Sequence, residues 1–315
     1  MNSLLPTSIE TEQPAVIASG LAKRFGNTVA LTGLDMKVPE GAFYLLVGPN
    51  GAGKTTAIKI LLDLLRPDEG HAQVFGLDCR REGPRVRATI GYVPEDPIRG
   101  FGWMSVERLF RHHAVYYPDW DARYAADLVE ALEVDVKALY GRLSKGQGRR
   151  VQLVLALAHR PRLLLMDEPM DGMDPVVRDR VAGLLAEHMA ESRTTVLAST
   201  HHIQELERLA DHLGILRNGH LLTQTTRKML DENLVCYRLE VSAGWEGVPE
   251  LEEAILTRNG SEQEQVWTVW GEPAEVQKAL GDAGAIVREA TVPPLEQAAV
   301  ALLSSPTGEG STRRI

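Results

Sequence analysis

The segment GPNGAGKTT, residues 48–56, has the residue types and the spacing that can hold a polyphosphate. Glycines let the backbone curl so that successive N–H groups point at phosphate oxygens, and a helix that begins there adds its positive end. Lys54 would reach the β and γ phosphates, and the Thr55 hydroxyl would hold Mg²⁺. Four residues match the pattern G-x-x-x-x-G-K-[ST]: Gly48, Gly53, Lys54 and Thr55. The predicted phosphate-binding residues are Gly48, Pro49, Asn50, Gly51, Ala52, Gly53, Lys54, Thr55 and Thr56.

A pair of acids, Asp167 and Glu168, follows the apolar run LLLM. Hydrolysis of a bound polyphosphate needs an acid in the metal shell and a base that orients the attacking water. Asp167 suits the first role and Glu168 the second. An Asp-Glu pair alone is weak evidence because such pairs usually lie in solvated loops, but this pair ends an apolar strand downstream of a phosphate loop.

The segment RLSKGQGRRV, residues 142–151, places four basic side chains just before a run rich in leucine. It is open to three interpretations: a basic patch for nucleic acid, an ordinary helix start, or a phosphate-binding segment. The formal net charge of -9 and the pI of about 5.6 argue against a protein that coats nucleic acid, because such proteins are usually basic. We therefore expect no nucleic-acid partner.

Buried strands and helices would position these groups. AFYLLVG, the first clear strand, is an apolar run that leads into the phosphate loop, and TTAIKILLDLL continues from the loop with helical spacing. RLLLMDEP and TTVLAST have the same buried-strand character, and DPVVRDRVAGLLAEHMA between them is helical. The order strand, loop, helix disfavours a glycine-rich turn without a ligand. It predicts an α/β core with a largely parallel sheet.

The length of 315 residues suits one large domain and a smaller one. Cys79 and Cys236 lie far apart without metal-ligand spacing, which is typical of a reducing compartment. The longest apolar runs end at residues 159–162, before the roughly 20 residues that a membrane span needs. The first 14 residues lack the features of a signal peptide. We expect a chain that stays in the cytoplasm.

Around Leu230 the pattern changes to short strands, CYRLEV, VWTVW and AIVREA, with helical spacing in PAEVQKALGDAG and PPLEQAAVALL. This pattern predicts a small C-terminal α/β domain. The expected organisation is a flexible segment at 1–14, a large domain at 15–230 with a helical part at about 95–160, the small domain at 231–304 and a flexible tail at 305–315.

With these motifs in order, residues 15–230 resemble the nucleotide-binding subunit of an ABC transporter. The resemblance implies a P-loop NTPase fold, the ABC cassette, in which a mostly parallel core sheet carries a lateral helical subdomain. Phe25 matches the aromatic residue that stacks on adenine, and LSKGQ, residues 143–147, matches the signature motif LSGGQ. DGMD, residues 171–174, takes the place of the D-loop. His201 matches the switch histidine that contacts the γ phosphate, with His202 as the alternative.

Three residues depart from the family pattern. Glu95 stands where the Q-loop usually has glutamine, and its oxygen remains a suitable ligand for Mg²⁺. Asp171 replaces a common serine and brings an acid toward the dimer seam, where it could weaken closure. Lys145 replaces a glycine of the signature motif and either adds attraction for phosphate or points to solvent. The expected metal ligands are Thr55, Glu95 and Asp167, and the expected catalytic residues are Glu168 and His201.

The resemblance also implies partners and cofactors. In this family two cassettes enclose two ATP molecules head to tail. Ser144, Gly146 and Gln147, at a helix start, would therefore hold the γ phosphate bound by the other cassette. That cassette is either a copy of this chain or a paralogue. The pair would bind ATP and Mg²⁺ and drive a separate membrane permease, which places the protein on the inner face of the cell membrane.

In finer detail, the glutamate after GYVP, the LSKGQ variant, YYPDWD and the C-terminal region resemble ATPases of bacterial exporters of the drug and antibiotic resistance type. The segment 95–117 would then face the permease. One alternative is a soluble ABC ATPase that acts in translation, repair or regulation. A P-loop kinase or GTPase is disfavoured by the signature motif and the Asp167-Glu168 pair, and the guanine-selecting stretch N-K-x-D is absent from the sequence. An inactive subunit is disfavoured because all four key residues are present: Lys54, Asp167, Glu168 and His201.

Overall fold

The computed structural model describes residues 5–6, 14–96, 98 and 100–304. The segments expected to be flexible, 1–14 and 305–315, lie almost wholly outside these described residues. Leu5 and Pro6 are the main exception. Leu5 is buried in the central core, and the Pro6 carbonyl accepts a hydrogen bond from the Gln224 N–H at 3.0 Å. These two residues are therefore packed against the body of the protein.

The described chain alternates strands and helices over most of its length. The strands are β1 Pro14–Phe25, β2 Thr28–Pro39, β3 Phe43–Val47, β4 Glu69–Val74, β5 Leu77–Asp78, β6 Ile90–Val93, β7 Leu163–Asp167, β8 Thr195–Thr200, β9 His212–Arg217, β10 His220–Thr226, β11 Leu234–Glu240, β12 Ile255–Gly260, β13 Glu264–Trp270 and β14 Ile286–Thr291. The helices are α1 Lys54–Leu61, α2 Gly83–Ala88, α3 Val106–Ala114, α4 Ala122–Ala131, α5 Lys145–Leu157, α6 Pro175–Ser192, α7 Arg227–Asn233, α8 Pro273–Asp282 and α9 Leu295–Ser304.

A six-stranded sheet in the order β10-β9-β3-β8-β7-β6 forms the centre of the molecule. All its neighbouring pairs are parallel except β9 with β10. Every residue of β3, β7 and β8 is buried. Burial on both faces explains why β3 and the first four residues of β7 are apolar without interruption. The predicted parallel α/β core is confirmed.

The register of this sheet places the ends of three strands side by side. Val47 at the end of β3 pairs with Thr200 of β8, and Asp167 at the end of β7 pairs with Ser199. The carboxyl ends of parallel strands meet at one edge, where ligands of open α/β sheets usually bind. The phosphate loop and the Asp167–Glu168 pair are therefore neighbours in space although more than a hundred residues separate them in sequence.

A second, antiparallel sheet in the order β2-β1-β4-β5 packs over the other side of α1. The prediction that AFYLLVG is the first clear strand was wrong, because β1 and β2 precede it. Both strands contain register shifts, and Gly20 and Gly33 adopt φ of 59° and 66° within them. Such bulges interrupt the alternation of apolar and polar residues by which a half-buried strand is recognised in a sequence.

Helices α3, α4 and α5 form the predicted lateral helical part. Leu153 and Leu157 of α5 pack into the central core, whereas Val151 and Leu155 join a separate small core with Tyr140. The helix α5 therefore connects the central sheet to the lateral helices. This matters for the site because α5 begins directly after Ser144, the first polar residue of the signature segment.

The C-terminal region contains a four-stranded antiparallel sheet, β12-β13-β11-β14, whose own core includes Tyr237, Trp267 and Leu280. The last helix, α9, was predicted as part of this small domain. Its Leu302 instead belongs to the central core, and the Arg217 side chain of β9 donates to the Leu303 carbonyl. The helix α9 therefore packs on the cassette as well as on β12.

Among the residues that the structure describes, no helix has both the length and the apolar composition that would let it cross a bilayer.

Candidate nucleotide site

The loop between β3 and α1 needs glycine for steric reasons. Gly53 has φ of 109°, and a side chain there would collide with the Ala30 carbonyl. A side chain on Gly48 would collide with the carbonyl of Leu216. No side chain caps the first turn of α1, so its backbone N–H groups are free to bind an anion. The loop thus has the tight shape and the donors that the sequence pattern predicted.

Lys54 connects the loop to the acidic side of the site. Its side chain is only 6% exposed, and its ammonium donates to the Gly48 carbonyl at 2.7 Å. The same ammonium lies 3.4 Å from Oε1 of Glu168. The cation is therefore held between the wall of the loop and the carboxylate that the sequence identifies as the base.

Glu168 is held by its backbone and by His201. Its φ of 48° is left-handed, a strained conformation for a glutamate, and its N–H donates to the Ser199 carbonyl at 3.1 Å. Oε1 lies 2.9 Å from Nδ1 of His201. The His202 backbone N–H donates to the Thr200 hydroxyl instead, at 2.9 Å. The structure thus places His201 rather than His202 against the carboxylate.

Asp167 lies behind Glu168 and is fully buried. Its Oδ1 accepts a hydrogen bond from the Ser199 hydroxyl, whereas Oδ2 has no hydrogen-bond partner among the described residues. A buried carboxylate oxygen without a partner is costly. The site therefore suits a bound cation next to Asp167.

A cavity of about 530 Å³ brings most of the predicted nucleotide residues together. Phe25, at the end of β1, lines one side and is 47% exposed. The predicted residues that line it are Phe25, Asn50, Gly51, Ala52, Gly53, Lys54, Thr55, Thr56, Glu95, Glu168 and His201. The predicted residues that do not line it are Gly48, Pro49, Asp167, Ser144, Gly146 and Gln147. The Gly48 and Pro49 carbonyls accept hydrogen bonds from the Lys54 ammonium, and Asp167 directly precedes Glu168 in the chain.

Ser144, Gly146 and Gln147 lie elsewhere. The Gln147 N–H donates to the Ser144 hydroxyl at 3.2 Å, and the Ser144 N–H donates to Oε1 of Gln147 at 2.9 Å. This reciprocal cap fixes the start of α5. Ser144 lines a neighbouring cavity of about 230 Å³, and Glu95 lines both cavities. The predicted helix start is present, but none of its three predicted residues lines the cavity that contains Lys54.

Two residues of α5 that the sequence analysis did not single out hold the backbone around Glu95. Arg149 is 2% exposed and donates to the carbonyls of Pro94 and Glu95, the latter at 2.8 Å. Gln152 donates to the Asp96 carbonyl at 3.0 Å and accepts from Arg149. Burial lowers the pKa of Arg149, and the nearby acids oppose this shift. The feature of the sequence that could have identified Arg149 and Gln152 is their i, i+3 spacing, which places them on one face of the helix.

The position of Phe25 also depends on Asp68, which is distant from it in sequence. Asp68 accepts a hydrogen bond from the Lys23 ammonium at 2.8 Å and another from the Arg24 N–H at 2.7 Å. These two hydrogen bonds hold the pKa of Asp68 below its ordinary value. They fix the end of β1, where Phe25 follows directly. No local sequence signal indicates this contact, because 44 residues separate Asp68 from Arg24.

The fold and the phosphate site define a nucleotide-binding ATPase of the P-loop class. Comparison with known proteins then identifies the family. The model of a family described as ABC transporter matches residues 31–171. The daunorubicin/doxorubicin resistance ATP-binding protein DrrA of Streptomyces peucetius is 34% identical over 224 residues, 70% of this chain and 68% of that protein. The bacitracin transport ATP-binding protein BcrA of Enterococcus faecalis is 30% identical over 221 residues, 69% of this chain and 68% of that protein.

A solved structure, described as that of the ATP-binding subunit of an ABC transporter, is 26% identical with a TM-score of 0.63, covering 69% of this chain and 91% of that chain. This chain therefore belongs to the ATP-binding proteins of ABC transporters. The expected cassette fold, nucleotide binding and ATPase activity are confirmed at the level of the family.

We predict that Arg149→Gln lowers the free energy of unfolding by about 1–3 kcal/mol, because buried carbonyls at residues 94 and 95 lose their donor. The same change should raise the Mg²⁺ concentration for half-maximal ATP hydrolysis by about tenfold, because Glu95 loses its support. Urea unfolding and Mg²⁺ titration of the ATPase rate measure these effects. Arg142→Gln, an exposed control in the same segment, should leave both values unchanged. Equal behaviour of the two variants would contradict a positioning role for Arg149.

Proposed function

We propose that this chain is the ATP-hydrolysing subunit of an exporter and works with a second cassette and a membrane permease on the cytoplasmic face of the membrane. The observation that supports this most is the position of Glu168 between Lys54 and His201 at the phosphate loop. Relatives with resistance and transport functions support export. The proposed cassette is a copy of this chain or a paralogue with the same motifs.

In the proposed mechanism, the phosphates of ATP are bound by the N–H groups of the loop and by Lys54, and Phe25 stacks on adenine. Glu168 accepts a hydrogen bond from the attacking water and takes its proton as the water oxygen bonds to the γ phosphorus. The bond from the γ phosphorus to the bridging oxygen breaks, and ADP leaves. Because Nδ1 of His201 contacts Glu168, Nε2 is the ring nitrogen left for a γ-phosphate oxygen.

Thr55, Asp167 and Glu95 are the residues that we propose hold Mg²⁺, which when bound neutralises charge on the phosphate oxygens. The unpartnered Oδ2 of Asp167 supports this assignment. In the described part of the chain, no three His, Cys, Asp or Glu side chains converge as a metal cage. Magnesium at nucleotide sites usually takes only one or two protein carboxylates and completes its shell with phosphates and water.

The second cassette is needed because one chain does not complete the site. Ser144, Gly146 and Gln147 form a helix start that does not line the cavity containing Lys54. We propose that they contact the γ phosphate bound to the other cassette in a two-fold arrangement, so that each ATP is enclosed by two chains.

The lateral helical part offers a surface for the permease. Trp103, Val115 and Tyr116 are large apolar residues that are 64%, 81% and 68% exposed. Tyr116 contacts the His112 ring, which in turn contacts Phe101, two residues before Trp103 in the chain. Exposed apolar clusters of this kind are typical of interaction sites. We propose that this surface docks on the permease, as expected for segment 95–117.

Glu168→Gln tests the base and the ATP-dependent dimer together. We expect ATP binding to persist, hydrolysis to fall by about 10²–10⁴-fold, and ATP with Mg²⁺ to convert the protein to a stable dimer. Steady-state ATPase assays and analytical ultracentrifugation measure these outcomes. Glu187→Gln, an exposed control on α6, should behave like the unchanged protein. A Glu168→Gln protein that hydrolyses ATP normally and stays monomeric would contradict both assignments.

A double variant of Trp103→Ser and Tyr116→Ser tests the docking surface. It should keep the basal ATPase rate but bind the permease about 10–30-fold more weakly, because aromatic residues at the centre of an interface contribute most of its affinity. The partner for this test is a membrane protein encoded next to this chain's gene, recognised by about six apolar stretches of roughly 20 residues and purified in lipid nanodiscs. Val300→Ser changes an exposed apolar residue on α9 and serves as the control. Unchanged affinity in the double variant would contradict docking at this surface.

A further inference from the structure

Lys145 and Asp171, two of the three departures from the family pattern, contact each other. The Lys145 ammonium and Oδ2 of Asp171 form an ion pair within one chain. Lys145 is the first residue of α5, and Asp171 lies in the loop after β7. The lysine therefore does not simply point to solvent, and the acid is not left without a counter-charge.

The backbones of the two segments are also close at this point. A Cβ on Gly146 would lie 2.5 Å from the Gly172 carbonyl oxygen, so only glycine fits there without a shift. A Cβ on Gly172 would lie 3.1 Å from the side-chain carbons of Lys145, which cover this glycine. The lysine thus packs its apolar stem on one loop residue and pairs its charge with the preceding one.

This contact is connected through the backbone to Glu168, the proposed catalytic base. The Asp171 N–H donates to the Glu168 carbonyl at 3.2 Å, so the loop that contains Asp171 is tied to the strained end of β7. On the other side, Lys145 directly follows Ser144, whose cap fixes the signature segment. The ion pair therefore connects two segments. One is the signature segment, which we propose contacts the ATP of the other cassette, and the other is the loop that follows Glu168.

The charge of Asp171 matters because the carboxylate lines the nucleotide cavity beside Glu95 and Glu168. An uncompensated third acid would repel a triphosphate in this cavity. The hydrogen bond from Lys145 is the main cause that lowers the pKa of Asp171, so the carboxylate stays charged and the lysine remains attracted to it. The charge of the more distant Arg149 lowers the pKa of Asp171 as well.

We propose that Lys145 and Asp171 are a compensating pair of positioning residues, in which the lysine neutralises the acid at the dimer seam and holds the signature segment against the loop after Glu168. The proposal rests on the proposed function, since the pair acts on closure of two cassettes around ATP. If so, removing the charge of Lys145 alone and removing the charge of Asp171 alone should change closure in opposite directions. Removing both charges should restore the original closure.

The test uses variants that remove charge and keep shape: Lys145→Met, Asp171→Asn and the double variant, each in the full chain that also has Glu168→Gln. The measured quantity is the ATP concentration that gives half-maximal dimer by analytical ultracentrifugation. We expect Lys145→Met to need about two- to fivefold more ATP, because Asp171 then repels the triphosphate. Asp171→Asn should need about two- to fivefold less ATP, because the Lys145 ammonium then has no counter-charge and attracts the triphosphate. The double variant should return to within about twofold of its parent.

Lys228→Met is the control, because Lys228 forms an ion pair of the same kind on the exposed face of α7. It should not change the ATP requirement. Shifts of the two single variants in the same direction, or no shift in either, would overturn the compensating role.

A second measurement on the same variants without ATP does not depend on dimer formation. The pair should show a coupling equal to about a two- to fivefold change in the unfolding equilibrium constant in a double-mutant cycle. Absence of coupling would overturn the ion pair itself. Failure of the Glu168→Gln parent to form a dimer, with the coupling present, would instead count against the proposed two-cassette function.

Discussion

The site depends on one constraint: the Glu168 carboxylate must stay between the Lys54 ammonium and the His201 ring. Three adjacent strands make this possible, because β3, β8 and β7 end at the same level of the sheet. A slip of one residue in β7 would turn Asp167 and Glu168 to the opposite faces. The left-handed backbone of Glu168 adds strain, which the hydrogen bond to Ser199 offsets. The buried apolar strands thus serve to fix the position of one charged side chain.

The sequence predicted those parts of the site that are local in the chain. The phosphate loop, the acids after LLLM and the cap at Ser144 are each written within a few consecutive residues, and their strand or helix context is equally local. The core strands were recognisable because burial on both faces makes them uniformly apolar. β1 and β2 were not recognised, because bulges interrupt their alternation. The packing of α9 was also not predictable, since its apolar face does not specify which core it joins.

Contacts between distant segments could not be predicted in the same way. Arg149 binds carbonyls more than fifty residues earlier, and backbone carbonyls have no sequence signature. Asp171 was expected to weaken closure, and Lys145 was expected either to attract phosphate or to point to solvent. Only their approach in space shows that they pair. Together these contacts make α5 the element that links the signature segment to both Glu95 and the loop after Glu168. A helix that is rigidly attached to both segments can transmit a change at one ATP to the other.

We propose that each ATP is hydrolysed between two chains, with Lys54 from one and Ser144 from the other. This can be tested by mixing two inactive full-length proteins, one with Lys54→Ala and one with Ser144→Arg. In a mixed pair, one site contains both changes and the other contains neither. An equimolar mixture should therefore recover ATPase activity, up to about one quarter of the native rate for random pairing. A mixture no more active than its separate components would contradict a site shared between copies of this chain.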